Sequence, residues 1–241
     1  RDSLRSRGLG DVYKRQTGSE NTASGHQALY DNTTGGSNTA SGSSALYNNT
    51  TGSNNSASGW RALYNNTTGE GNTASGYGAL YTNTTEYQNT ATGYLSLYKN
   101  TNGSSNTASG ANTLYNNTTG DYNIAFGNEA LFVNTTGSNN SALGRQALNT
   151  NTTGSNNTAL GTSAKGSSAT ATNQTVIGYN ATGQADNSVT LGNASVTAVY
   201  MGQDSGATVY AAGLNLGGTA ITGITSGQAS AITANTAKTG I

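Results

Sequence analysis

Apolar and polar positions recur along this chain with a period of seventeen residues. We number the seventeen positions as columns, with Gly18 as the first residue of column one. Column four is Asn, column six is Ala and column eight is Gly in nine consecutive copies, and column twelve is Leu in the first eight. Between these columns lie polar runs rich in Thr, Ser and Asn. Columns that stay constant over so many copies indicate a repeat architecture.

The length of the period predicts one coil of a β-solenoid per copy. Two packed helices need roughly 33 or more residues per unit, and one long helix is disfavoured because every copy contains Gly. A coil of this length accommodates a short strand, turns and a second short segment. Stacked coils would pair through parallel strands about 4.8 Å apart. We therefore predict an all-β fold.

Each column has a predicted role, which the third copy illustrates. The stretch NTASG and its equivalents is the predicted strand, in which Asn55, Ala57 and Gly59 share one face while Thr and Ser share the other. Stacked Asn amides can form ladders along the axis. We expect Leu63 in the interior and Tyr64 at its edge with a wet hydroxyl. The segment around Leu63 is predicted as a short helical turn or a second strand, and the following NNTTG as a turn.

The pattern changes towards the C-terminus. Copies seven to nine carry Phe126, Leu143 and Leu160 in column seven, where the earlier copies carry Ser or Thr. After Gly161 the constant columns end, and the stretches TVIG and VTLG finish fourteen residues apart.

These changes divide the chain into predicted segments. We predict the nine-copy solenoid over residues 17–161 and fourteen-residue coils with a neck over 162–220. Residues 221–241 space Ile and Ala at helical intervals and are predicted to begin a helical stalk that is cut short.

Residues 1–16 differ from the rest in charge, since they hold five of the ten basic residues. They resemble the translated sequencing-adaptor sequence found at contig ends in assemblies of environmental DNA. We interpret them as a non-native or disordered segment. A basic anion-binding arm is the alternative. We expect the native start, with any export signal, to lie elsewhere. The other residues carry five basic and eight acidic groups, and we expect no nucleic-acid partner and no membrane segment.

The repeat units and the stretch NSVTLGNAS resemble the head repeats of trimeric autotransporter adhesins and related phage or bacterial tail-fibre proteins. Over residues 17–220 this resemblance implies a left-handed parallel β-roll, three chains side by side, a coiled-coil stalk and a role in surface attachment. The resemblance leaves both classes of protein open, the adhesin head and the tail-fibre shaft. The implied location is extracellular, on a cell surface or a virion tail fibre.

One column departs from that family. Family strands usually carry Ile or Val before the Gly of column eight, whereas copies one to six carry Ser or Thr. We expect this difference to weaken the hydrophobic core of the first six coils. Charged residues are only 8% of the chain, and large apolar residues are scarce. A small core leaves little stabilising free energy after the conformational entropy lost on folding. We therefore predict that the isolated monomer has low stability and that the chain forms a homotrimer with two further copies.

Catalytic chemistry finds little support in the sequence. The chain has no Cys, and its one His, His26, lies in a variable column. Asp121 and Glu129 fall in different columns, so they are not a predicted acid pair. We expect no enzyme activity, no metal and no cofactor. The Asn-x-Thr triplets have the form of glycosylation acceptors, but turn chemistry explains them more simply.

Binding is better supported, because columns nine and ten vary freely. Stacking would place Trp60, Tyr77 and Tyr94 on one line beside Arg61. Aromatic rings beside an Arg are typical of binding hot spots, and ring faces also suit sugars. We predict a glycan or protein receptor at these four residues. The alternative is that the rings cover neighbouring turns or a seam between chains.

Two further classes of function remain open. The Thr and Ser residues of column five would form a flat array of hydroxyl groups, which is compatible with an ice-binding protein. A solenoid enzyme that acts on polysaccharide would need an acid pair, which the sequence does not offer.

Overall fold

Eleven short parallel strands form one sheet in the computed structural model, which describes residues 17–196. Successive strands are neighbours throughout the sheet, so the chain advances by one coil per strand. The predictions for residues 1–16 and for the stalk at 221–241 lie outside the described residues, as does the neck beyond residue 196. The strands are β1 (Thr22–Ser24), β2 (Thr39–Ser41), β3 (Ser56–Ser58), β4 (Thr73–Ser75), β5 (Thr90–Thr92), β6 (Thr107–Ser109), β7 (Ile124–Phe126), β8 (Ser141–Leu143), β9 (Thr158–Leu160), β10 (Thr175–Ile177) and β11 (Val189–Leu191).

The strands pair in the register that the column alignment predicts. Ala40 pairs with Ala57, and the equivalent alanines pair from β1 to β9. The constant side chains end near Gly161, yet the strand spacing stays at seventeen residues up to β10, where Thr158 pairs with Thr175. It falls to fourteen between β10 and β11, where Thr175 pairs with Val189. The predicted all-β solenoid is confirmed.

The interior of each coil is filled by few and small side chains. Ala57 in column six, Ala62 in column eleven and Leu63 in column twelve are at most 1% exposed, and their equivalents in the coils of β2–β8 are at most 2% exposed. Ser56 and Ser58, which flank Ala57, are exposed. The predicted division of the strand into an inner Asn–Ala face and an outer Thr–Ser face is confirmed.

Two buried ladders of Asn side chains run along the axis. In column four, the Asn72 backbone N–H donates to Asn55 Oδ1 over 2.9 Å, while Asn55 Nδ2 donates to the Gly69 carbonyl over 2.8 Å. In column fifteen, Asn66 Nδ2 donates to Asn49 Oδ1 over 2.8 Å. Since buried polar groups are costly unless they are hydrogen-bonded, both columns need a short side chain that donates and accepts at once, and Asn is such a side chain. This requirement explains why both columns are constant.

The segment around Leu63 is neither a helix nor a strand. It is a turn that hydrogen-bonds to the next coil, with the Leu63 N–H donating to the Ala79 carbonyl over 3.0 Å. The leucines of column twelve all have positive φ, with a value of 51° at Leu63. Leucine seldom adopts this conformation, which costs roughly 1–2 kcal/mol. Burial of the side chain contributes a comparable gain of about 1.5–3 kcal/mol.

Column seven faces outward in every described coil, and this finding corrects one expectation. Ser58 in β3 and Leu143 in β8 are both exposed. The prediction that Ser and Thr in this column weaken the core of the first six coils is wrong for the core of a single chain. The side chain before the Gly points away from that core, so its polarity changes the surface instead.

Candidate functional site

The candidate site begins where the strand of each coil ends at the Gly of column eight. Gly76 has a φ of 137°, and a Cβ at this position would lie 2.4 Å from the Gly93 carbonyl oxygen. Only Gly permits this close stacking of successive coils. The chain then turns, and the next side chain, in column nine, is free to vary because it lies on the surface of the solenoid.

In three successive coils this free position holds an aromatic ring. Trp60, Tyr77 and Tyr94 are 39%, 45% and 52% exposed. Trp60 and Tyr77 stack with ring centroids 4.5 Å apart, and Tyr77 and Tyr94 stack at 5.2 Å. The rings therefore lie on one exposed line, which is the geometry that the receptor hypothesis requires. Binding at these residues stays a prediction.

A second aromatic line runs beside the first. It is formed by the half-buried rings of column thirteen, which stack face to face with centroids between 5.0 Å and 5.5 Å apart. The members are Tyr30, Tyr47, Tyr64, Tyr81, Tyr98, Tyr115 and Phe132. Since the solenoid repeats both columns at the same spacing, the two lines remain side by side from coil to coil.

A cleft of about 220 Å³ lies between the two lines, and we call it the aromatic groove. The residues of its two walls are Trp60, Tyr77 and Tyr94 on one side and Tyr81, Tyr98 and Tyr115 on the other. Column ten supplies the remaining lining, with Arg61, Gly78 and Leu95 in successive coils. A Cβ on Gly78 would lie 2.9 Å from Leu95 Cδ2 and 3.5 Å from Tyr98 Cδ2. The absence of a side chain at Gly78 therefore keeps the groove open.

Two cations lie over aromatic rings at the groove. The Arg61 guanidinium lies 4.1 Å from the centre of the Trp60 ring and 5.3 Å from that of Tyr64, so it bridges the two aromatic lines. Lys99 Nζ lies 5.2 Å from the centre of the Tyr115 ring and donates a hydrogen bond to Asn116 Oδ1 over 3.0 Å. Arg61 is the only charged residue among the lining residues of the groove within the described part of the chain.

One tyrosine in the groove has a shifted pKa. Partial burial raises the pKa of Tyr98 above its ordinary value, and repulsion from Tyr81, Tyr115 and Tyr77 raises it further. Arg61 opposes this change, because a cation favours the ionised phenol. The stacked column thus holds Tyr98 in its neutral form, in which the hydroxyl can both donate and accept hydrogen bonds.

The groove was only half visible in the sequence. The line of Trp60, Tyr77 and Tyr94 and the adjacent Arg61 were predicted from column nine, and the structure brings all four residues together. The tyrosines of the second wall were predicted only to lie at the edge of the interior, and not to form part of a site. Gly78 was not predicted to belong to a site, although a Gly between Arg61 and Leu95 in a variable column was the available signal.

His26, Asp121 and Glu129, which were not predicted to be catalytic, are not among the lining residues of the groove. His26 is exposed. Asp121 accepts a hydrogen bond from the Ser104 N–H over 2.7 Å, and Glu129 accepts one from Gln146 Nε2 over 2.8 Å. Within residues 17–196, no group of three or more His, Cys, Asp or Glu residues is arranged to hold a metal ion. The same residues include no helix with the length and apolar character needed to span a membrane.

Comparison with known protein families, with curated proteins and with solved structures finds no match to this chain.

Proposed function

We propose that this chain is a segment of an extracellular fibre or adhesin that attaches to a cell surface, through a glycan or protein receptor at the aromatic groove. The observation that carries the proposal is the exposed stack of Trp60, Tyr77 and Tyr94 beside Arg61. Large rings that a fold leaves exposed in a cluster are typical of recognition surfaces. The role is structural and binding, without catalysis.

The solenoid supports such a role because it is long, repetitive and able to carry side chains at a fixed spacing. The backbone is held by hydrogen bonds from coil to coil, and the exposed columns have no part in the interior. A binding surface can therefore change without loss of the fold. An adhesin head and a tail-fibre shaft both need this separation of scaffold and surface.

The proposal includes a homotrimer, and a different surface supports it. From β7 to β11, column seven forms an apolar line, which we call the apolar stripe. Its side chains are 37–51% exposed and adjacent through the strand register. Its members are Phe126, Leu143, Leu160, Ile177 and Leu191. An exposed apolar row of this length is typical of an interface, and two further copies of the chain would cover it.

Attachment can be tested with rings removed from the groove. Purified wild-type chain and the double variant Trp60→Ala/Tyr77→Ala are immobilised on beads and presented to a panel of bacterial cells and to an array of surface glycans. We expect the double variant to lose attachment while its melting temperature changes by only a few degrees, since both rings are exposed. The matched control is Tyr87→Ala, which removes a ring that is 52% exposed and lies outside the groove.

Two outcomes contradict the proposal. If the double variant attaches as well as the wild type, the groove is not the attachment site. If the double variant unfolds, Gly78→Ser, which narrows the groove, gives the decision, and a folded Gly78→Ser protein that attaches as well as the wild type also contradicts the proposal. Ser44 occupies the same column with a φ of 57°, so the backbone tolerates Ser there.

One observation favours a second candidate function, ice binding. In β1–β6 the Thr and Ser side chains of column five face outward or are half-buried, in register. Rows of hydroxyl groups at the strand spacing of about 4.8 Å can order water. Thermal hysteresis of the intact chain, lost on Thr73→Lys, would support this function. The absence of hysteresis in the wild type would exclude it.

A further inference from the structure

We propose that the aromatic groove takes an acidic saccharide, a pyranose chain that carries carboxylates of the uronic acid type. This inference rests on the proposed function, because it names the class of ligand for the same site. It is carried by the combination of stacked rings along the groove and a guanidinium without an acidic partner at its side.

The aromatic walls suit a sugar chain in length and chemistry. The rings of Tyr81, Tyr98 and Tyr115 follow one another at centroid distances of 5.1 and 5.4 Å. Each step is close to the length of one pyranose unit in an extended chain. Because these rings stack face to face, they present their edges and hydroxyls to a ligand, and the hydroxyls can hydrogen-bond to the OH groups of a sugar.

The charge distribution selects among sugars. Arg61 makes no ion pair and no side-chain hydrogen bond with the described residues, although its guanidinium is held over Trp60. Its N–H donors therefore remain available to a ligand. Lys99 adds a second positive charge over Tyr115 at the other end of the line. A neutral sugar would leave this charge without a partner, whereas an acidic sugar would complement it.

A carboxylate matches Arg61 better than other groups of the same ligand would. The guanidinium is planar and can donate two parallel hydrogen bonds to the two oxygens of a carboxylate. Its stacking on Trp60 restricts its orientation before the ligand arrives, which reduces the entropy lost on binding. We therefore infer that the carboxylate of one sugar unit binds at Arg61, while its neighbours pack along the tyrosine line.

The test uses trigalacturonic acid as the probe and its methyl ester as the neutral probe of nearly the same shape. Trp60 is the only Trp in the chain, so its fluorescence reports directly on the groove. We expect the acid to change this fluorescence with an affinity at least about tenfold higher than that of the ester. We also expect the affinity for the acid to fall as salt is raised.

The key variant is Arg61→Gln. Gln27 and Gln146 occupy the same column with φ values of 54° and 57°, close to the 53° of Arg61, so the backbone accepts Gln. We expect this variant to bind the acid about tenfold more weakly, at the level of the ester, and to leave ester binding unchanged. Arg145→Gln removes an exposed Arg that lies outside the groove, and it should have no effect.

Failure of this inference is distinguishable from failure of the proposed function. Equal affinity for the acid and the ester, in wild type and in Arg61→Gln, would overturn the acidic class but leave a sugar-binding groove. No fluorescence change with either probe would also overturn it, and the attachment assay with Trp60→Ala/Tyr77→Ala would still decide whether the groove binds cells. Loss of attachment in that case indicates a different receptor.

Discussion

The coils of β1–β6 and those of β7–β11 share one backbone but present different surfaces. In column seven the first group carries Ser or Thr, and the second carries Phe126, Leu143, Leu160, Ile177 and Leu191. The inner side chains barely change, since Ala57 in β3 and Ala142 in β8 are at most 2% exposed. The aromatic groove belongs to the first group, and the apolar stripe belongs to the second.

This contrast shows that the interior and the surface of the solenoid are specified by separate columns. The interior depends on Asn, Ala, Leu and Gly, whose positions are set by contacts between coils. Outward columns are free of those contacts, so one end of the chain can develop a ligand groove while the other develops an apolar seam.

The largest effect is expected where the two groups meet. Gly110 has a φ of 135°, and its Cβ would lie 2.7 Å from the Gly127 carbonyl carbon and oxygen. Gly110→Ala should lower the free energy of unfolding by about 3 kcal/mol or more, since backbone strain and overlap add. Hydrogen exchange followed by mass spectrometry should show loss of protection on both sides of β6.

The control for that prediction is Gly71→Asn. Gly71 has a φ of 66°, and its Cβ would meet only Gln88 Cγ, at 3.9 Å. Asn54 and Asn139 adopt φ values of 60° and 58° in the same column. This variant should be nearly neutral. A Gly110→Ala protein as stable as the wild type would show that close stacking at column eight is not required.

A matched pair of variants tests whether the interior is the same in both groups. Asn55 and Asn140 make equivalent bonds, each accepting the next Asn N–H, over 2.9 and 3.0 Å, and donating to a Gly carbonyl, over 2.8 and 2.9 Å. Asn55→Ala and Asn140→Ala should each lower the free energy of unfolding by about 2 kcal/mol, because buried backbone groups lose their hydrogen-bond partners. Urea denaturation should give equal losses. Unequal losses would mean that the surface also affects the interior.

A third experiment exchanges the surfaces of the two groups. Leu143→Ser/Leu160→Ser gives the second group the polar surface of the first, and we expect it to abolish the trimer, since burial of each Leu is worth about 1.5–3 kcal/mol. Sedimentation should detect the change in mass, while circular dichroism stays unchanged. Ser58→Leu/Ser75→Leu is the reciprocal variant and should increase association. A wild type that sediments as a monomer at micromolar concentration would contradict the trimer itself.

The smallest effect is expected from alkaline pH and concerns the tyrosine column, which does not extend past Phe132. The pKa of Tyr98 is raised in the folded chain, mainly by burial, so the folded chain holds this proton more tightly than the unfolded chain does. Its contribution to stability is fully present below about pH 10 and is lost as pH rises through the raised pKa. Between neutral and alkaline pH, the urea midpoint of Tyr98→Phe should therefore fall less than that of the wild type. Tyr179→Phe, outside the column, should behave like the wild type.

The sequence by itself determined the scaffold of this protein. Constant Asn, Ala, Gly and Leu columns predicted the solenoid, its strand register, its inner face and its Asn ladders, because each coil places the same residue against the same residue of its neighbour. The line of Trp60, Tyr77 and Tyr94 followed from the same stacking rule.

Only the tertiary structure decided features that depend on how each turn bends. The left-handed φ of Leu63 is unfavourable for an isolated Leu and is adopted because the side chain becomes buried, so local propensity could not predict that turn. The same bend brings columns nine and thirteen to the two sides of Gly78 and creates the aromatic groove. The alternation along the strand separated column seven from the Asn–Ala face, and the structure shows that column seven lies on the outside of the solenoid. A repeat pattern states which residues stack, whereas the path of the backbone between them decides which stacked columns face each other.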